Sequence, residues 1–193
     1  MRPLPRRFFA ADSRELAPLL LNKLLMRGER VGRIVEVEAY AGAADPASHA
    51  FRGRTVRNAT MFGPPGHLYV YFTYGMHFCA NVVCGLDGEA SAVLLRGLTP
   101  VAGLDEMRAA RGPAARRDRD LCSGPGKLCQ ALGLDRSFDG ADLVTGDRGV
   151  RVVDDGTPPP ERPGASGRIG LSVAADVPWR FYVPGAVGLS RGG

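Results

Sequence analysis

Two carboxylates, a phenol and an imidazole stand close together in the stretch Val31-Gly-Arg-Ile-Val-Glu-Val-Glu-Ala-Tyr40 and the residues that follow it as far as His49. Glu36 and Glu38 interrupt an apolar run, where a carboxylate either faces water or is held for a purpose. Glu38, Tyr40 and His49 form the smallest set in the chain that could move protons, in the manner of a general acid or base. The competing reading is purely structural. Arg96 lies late in the apolar run Ala90-Ser-Ala-Val-Leu-Leu-Arg-Gly-Leu98 and needs a fixed anionic partner. Glu38 is the obvious candidate.

The elements that must position these groups read mostly as short strands. Val35, Val37 and Ala39 alternate with Ile34, Glu36, Glu38 and Tyr40, the period-two pattern of a half-buried strand. Both glutamates and Tyr40 therefore share one side. Gly42 and Asp45-Pro46 end the strand and turn the chain toward His49. The run His67-Leu-Tyr-Val-Tyr-Phe-Thr-Tyr-Gly75 sets Leu68, Val70 and Phe72 against Tyr69, Tyr71 and Thr73. After Gly75-Met76 the segment His77 to Cys84 returns, so a β-hairpin is expected with Tyr74 and Met76 at its tip. Core packing does not explain a Tyr and a Met there; an aromatic or apolar wedge on a β-ribbon is what proteins insert between DNA base steps. Asn81, amid apolar neighbours in the return strand, requires hydrogen-bond partners and is either structural or a base-reading group.

Elsewhere the pattern is scaffold. Asp12 and Ser13 are cap-type residues, and Leu16, Leu19, Leu20, Leu24 and Leu25 predict one helical stripe ending at Gly28, with a start or kink at Pro18. A short helix is expected from Asp105 to Arg111, a strand from Val150 to Val153, and closing strands from Ile169 to Val173 and Arg180 to Val183. Residues 1–11 form a basic N-terminal segment, and 154–167, with three consecutive prolines, an exposed loop. Arg54 and Arg57 lie in a loop without periodicity, either solvated or contacting phosphate. Leu121-Cys-Ser-Gly-Pro-Gly-Lys-Leu-Cys-Gln-Ala-Leu132 reads as a loop opening a helix. Ser123, Gly124 and Gly126 would offer free N–H groups at that terminus, with Lys127 beside them, so it is either a phosphate site or a plain cap.

The 193 residues carry 25 Lys and Arg against 20 Asp and Glu, a net charge of +5. Only Lys23 and Lys127 are lysines; the rest of the positive charge is Arg, the better fork for phosphate, and a polyanionic partner is plausible. The 26 glycines and 15 prolines exceed the usual combined share of about 12% and predict a loop-rich but folded body. No apolar run approaches the roughly 18–20 residues of a membrane span, and no signal-peptide core is visible, so a cytoplasmic protein without membrane attachment is expected. Cys79, Cys84, Cys122 and Cys129 lack zinc-site spacing and read as reduced core residues, with no metal and no cofactor expected. The fold class is α+β: one domain over 1–193, with a central curved, mostly antiparallel sheet, surrounding helices and a protruding hairpin.

Taken together and in order, Ile34-Val-Glu-Val-Glu-Ala-Tyr40, Met61-Phe62, Tyr69-Val-Tyr-Phe-Thr-Tyr-Gly-Met76, Val93-Leu-Leu-Arg96, the Leu121–Leu132 stretch and Arg180-Phe-Tyr-Val183 resemble the alkyladenine (3-methyladenine, methylpurine) DNA glycosylases. The resemblance runs from about Leu16 to Ser190. It implies a monofunctional enzyme of base-excision repair that flips alkylated or deaminated purines out of double-stranded DNA and acts near the nucleoid as a monomer. Glu38 matches the family's catalytic base and Arg96 the residue that helps hold the attacking water. Tyr40, His49 and Tyr71 match the base-pocket walls, Asn81 the group that clashes with the exocyclic amine of guanine, and Leu94 and Ile169 lining positions. Tyr74 matches the residue that fills the gap left by the extruded nucleotide, and Met76 its neighbour. His77 departs from the family pattern, standing where Tyr is common. A non-catalytic, basic nucleic-acid-binding β-module and a small-molecule hydrolase using Glu38 and His49 are the competing functions.

Overall fold

The computed structural model describes residues 1–190. Its organising element is one curled antiparallel sheet. The strands are β1 (Arg2–Pro3), β2 (Leu24–Arg27), β3 (Arg30–Tyr40), β4 (His67–Thr73), β5 (His77–Cys84), β6 (Ser91–Ala102), β7 (Ala141–Asp142), β8 (Val150–Asp154), β9 (Gly164–Ser166) and β10 (Arg180–Tyr182). They run β1-β8-β2-β3-β6-β5-β4-β7 in space, while β10 pairs with both β3 and β9. The helices are α1 (Arg6–Phe9), α2 (Ser13–Leu20), α3 (Leu104–Arg111) and α4 (Pro125–Leu132). The α+β class with a curved antiparallel sheet and a protruding hairpin is thus what the chain adopts.

The core lies between the sheet and the helices. Leu16, Ala17 and Leu20 of α2, Val37 and Ala39 of β3, Val82 of β5, Leu95 of β6 and Leu128 and Leu132 of α4 all belong to one buried cluster. Fully burying each Leu or Val among them contributes about 1.5–3 kcal/mol. The alternation read in β3 is real, but both faces are covered, so Val35, Glu36, Val37, Glu38 and Ala39 are all buried. Asp12 caps α2 as expected, its carboxylate accepting from the N–H of Arg14 at 2.9 Å.

Two sequence expectations are corrected. Leu24 and Leu25 do not continue α2. The helix stops at Leu20, and Leu24 and Leu25 pair with Arg33 and Gly32 in the hairpin β2–β3, whose turn holds Gly28. Apolar residues at those intervals satisfy a helical stripe and a buried strand equally, and tertiary pairing decides. Ile169 to Val173 is an irregular segment, and the extra strand beside β10 is instead Gly164–Ser166, inside the stretch read as an exposed loop. The basic N-terminal segment likewise carries β1 and α1, and buries Leu4 and Phe9.

The β3–β6 ladder shifts register on either side of Glu36, which pairs with Gly97 while Val37 pairs with Leu95. Val35 and Arg96 are the bulged residues, and bulges re-aim side chains next to functional sites. Gly97 is required there. A Cβ on it would lie 2.5 Å from the carbonyl oxygen of Gly188 and 3.2 Å from the Glu36 carboxylate. Gly97→Ala is expected to cost about 1–3 kcal/mol by overpacking, read as a lower urea midpoint with unchanged slope.

Candidate active site

The strand β3 presents Glu36 and Glu38 on one side, and the structure separates their tasks. Glu36 is saturated. It accepts from Nε of Arg180 at 2.7 Å, Nε of Arg96 at 3.1 Å, and the N–H and Oγ of Ser190 at 2.5 and 2.6 Å. Burial, the largest single influence on it, favours the neutral acid, but the bonds from Ser190 and Arg180 outweigh it and hold the carboxyl below its ordinary range. Glu38 keeps capacity in reserve. Its Oε1 accepts the backbone N–H of Ile169 at 2.8 Å and faces Nη1 of Arg96 at 3.3 Å; its Oε2 accepts the Tyr40 hydroxyl at 2.9 Å. A carboxylate offers about four lone-pair sites, so one is unclaimed by these donors; Glu38 itself is fully buried behind them. Arg96 therefore bridges both glutamates rather than pairing with Glu38 alone.

The donors around Glu38 also line a cavity of about 200 Å³. Tyr40, His49, Tyr71, Asn81, Leu94, Arg96 and Ile169 all border it, joined by Met61, Thr73, Cys79, Pro125 and Leu171. Leu94 sits centrally, paired across the sheet with Glu38 on one side and Asn81 on the other. Asn81 donates from Nδ2 to the carbonyl of Tyr69 at 3.1 Å, which fixes the amide in place. His49 and Tyr71 meet edge-to-face with centroids 4.5 Å apart. Nδ1 of His49 lies 3.1 Å from the hydroxyl of Tyr69. Burial first, and the charge of Glu38 second, push the Tyr40 phenol far above its ordinary value, so it stays a donor at any working pH.

Burial, then the charge of Arg57, lowers the pKa of His49, so its ring is neutral at neutral pH. An unfolded histidine protonates near pH 6.5 and the folded one only below that. The unfolded state therefore binds more protons as the pH falls through 6.5, and stability drops with it. Wild type is expected to lose stability relative to His49→Phe between about pH 7 and about pH 5, as urea midpoints measured across that range will report.

The tip of the β4–β5 hairpin reaches outward. Tyr74 is 80% exposed and Met76 67%, and Phe72 below them is also exposed. Tyr74 also borders the mouth of the cavity; Met76 does not. Tyr74 and Gly75 both have positive φ, 51° and 66°. For a bulky residue that conformation costs on the order of 1–3 kcal/mol, of the kind found where a loop is shaped for function.

The basic residues are more dispersed. Arg54 is exposed and has no partner among the described residues, whereas Arg57 donates to the carbonyl of Phe72 at 3.0 Å and lies over the Tyr71 ring. Ser123 bridges to Gly97, and Lys127 Nζ bonds its hydroxyl at 3.2 Å. Gly124 precedes α4, and Gly126 packs so closely on His77 that a Cβ would lie 2.9 Å from the imidazole. The four cysteines are buried and free. Among the described residues no helix is long and apolar enough to cross a membrane.

Sequence reasoning missed one buried fork. Arg168 binds Asp45 through both Nη atoms, at 2.5 and 2.8 Å, and donates to the carbonyl of Ala39 at 3.0 Å. Its guanidinium sits 4.7 Å over the Tyr40 ring, and both ion-pair side chains are fully buried. This pair ties the Ile169 segment, and with it the amide that reaches Glu38, to the end of β3. Only the position of Arg168 next to Ile169 hinted at it.

A carboxylate behind a nucleobase-sized aromatic cavity, with an exposed tyrosine ribbon at its mouth, is the arrangement of a DNA glycosylase, an enzyme that hydrolyses N-glycosyl bonds in base-excision repair. The chain belongs to the methylpurine-DNA glycosylase family: the profile described as Methylpurine-DNA glycosylase (MPG) matches residues 7–187. A Burkholderia lata protein named "Putative 3-methyladenine DNA glycosylase" is 58% identical over 183 residues, covering 94% of this chain and 88% of the relative. Proteins of the same name from Streptomyces avermitilis and Koribacter versatilis are 48% and 47% identical, covering 94% and 96% of this chain and 87% and 92% of their own.

Proposed function

We propose that this glycosylase excises alkylated and deaminated purines, of the 3-methyladenine, 7-methylguanine, hypoxanthine and ethenoadenine class, from duplex DNA. Glu38 activates a water that attacks C1′ of the flipped nucleotide. The new C1′–O bond forms as the C1′–N bond breaks, and the proton of the water passes to Glu38. The base leaves with the bonding electrons, a cationic purine as the neutral base and a neutral purine as an anion that takes up a proton as it departs. The transition state is oxocarbenium-like, so the same carboxylate offsets the positive charge developing on the sugar. Tyr40, Tyr71 and His49 wall the base, and tyrosine faces attract a cationic purine by about 0.5–2 kcal/mol. Extrusion costs a few kcal/mol, which Tyr74 offsets by entering the stack beside Met76.

The observation that carries this reading is the set of bonds to Glu38. Its three partners, Tyr40, Arg96 and Ile169, all line the cavity and leave the carboxylate one acceptor site. A lyase would need an amine nucleophile. Neither lysine borders the cavity; Lys23 is paired with Asp154 at 2.9 Å and Lys127 with Ser123. The reaction is therefore monofunctional. Arg54, Ser123, Gly124, Gly126 and Lys127 contact the DNA backbone in this reading, and the enzyme works as a monomer at the nucleoid.

Base-release profiling against a panel of damaged duplexes tests it. Free methylated purine and hypoxanthine should appear together with alkali-labile sites, and without strand cleavage before alkali. Duplex binding with no base released from any member of the panel would instead establish a non-catalytic binding module.

A further inference from the structure

We infer that Arg57 is a specificity-determining residue of the base pocket, setting how well a positively charged purine is accepted relative to a neutral one. The inference rests on the functional reading above. Arg57 does not simply extend into solvent as a backbone-contacting arginine would. Its Nη2 donates to the carbonyl of Phe72 at 3.0 Å, and its guanidinium carbon lies 5.6 Å from the centroid of Tyr71, a wall of the cavity.

What distinguishes Arg57 from the other cations at the pocket is compensation. Arg168, over Tyr40, is neutralised by its fork to Asp45, and Arg96 is held between two glutamates. Among the described residues, no carboxylate stands within ion-pair distance of Arg57. It is thus the net positive charge against the aromatic wall. Arg57 does not itself border the cavity; it stands against Tyr71, which does.

A guest cation stacked beyond Tyr71 would lie roughly 8 Å from this charge. At an effective dielectric between about 20 and 80, repulsion at that range shifts an equilibrium by about 2- to 30-fold. Because Arg57 is solvent-exposed, the lower part of that range applies. A neutral purine feels none of this repulsion.

The experiment compares single-turnover excision of 7-methylguanine, a cation, and hypoxanthine, neutral at physiological pH, from otherwise identical duplexes. Wild type, Arg57→Gln and Arg57→Lys are used; position 57 is exposed, so folding is preserved. Arg57→Gln should raise the ratio of cationic to neutral excision several-fold, and Arg57→Lys, which keeps the charge, should return it toward the wild-type ratio. An unchanged ratio overturns the inference. So do equal losses on both lesions with a salt dependence flatter by about one charge, which mark an ordinary phosphate contact. If wild type releases neither base, the functional reading itself fails, a result separable from both.

Discussion

Glu38→Gln is expected to lower single-turnover base release by about 10²- to 10⁴-fold while leaving the fold and duplex affinity nearly intact. The carboxamide is isosteric and still accepts from the Ile169 N–H or the Tyr40 hydroxyl, so the cavity keeps its shape. It cannot take a proton from water, and it carries no charge to set against the sugar cation. The loss corresponds to about 3–5 kcal/mol of barrier. Arg96 retains its bond to Glu36, so no buried cation is left without a partner. Stopped-time gel assays and equilibrium binding to the same lesion duplex separate the two effects. Excision at the wild-type rate would remove Glu38 from the chemistry.

Glu36→Gln, two residues earlier on the same strand, should fail in the opposite way. Here the carboxylate bonds the Nε of both Arg96 and Arg180, which are buried, as well as both donors of Ser190, so the substitution removes the charge on which two guanidiniums converge. Breaking a buried pair on one side costs about 3–5 kcal/mol. At about 2–4 °C per kcal/mol for a chain of this size, the melting temperature should fall by about 6–20 °C. Sign and window follow from the lowered pKa. An unfolded glutamate protonates near pH 4.3 and the folded one below that. The stabilisation is present above about pH 4.3 and lost as the pH falls through the folded value, so wild type and variant should converge in acid. Calorimetry at neutral and acidic pH checks this. A variant as stable as wild type would mean that Ser190 and Arg180 do not depend on Glu36.

The contrast between these two glutamates marks the reach of sequence reading. The alternation in β3, the Tyr74 hairpin, the Asp12 cap and the loop opening α4 are local patterns, each set by residues a few positions apart, and each is found in the structure. Glu36 and Glu38 look alike in that local view. What separates them is supplied from far away: Arg180 and Ser190 saturate one, while Ile169 and Tyr40 leave the other with a free acceptor site. Leu24 and Leu25 fit a helical stripe for the same reason, since only pairing with Arg33 and Gly32 reveals a strand. The Asp45–Arg168 fork spans 123 positions and has no local signature. Cavity residues on the motifs, such as Tyr40, Tyr71, Leu94 and the bulged Arg96, are legible in advance, and Ile169 is reached through the family resemblance; Thr73, Cys79, Pro125 and Leu171 have no such signal.

The bonds between Ser190 and Glu36 join positions 154 residues apart. Closing so long a loop is entropically costly and delays the contact until most of the sheet has assembled. The acidic centre is therefore incomplete until Ser190 has joined β3.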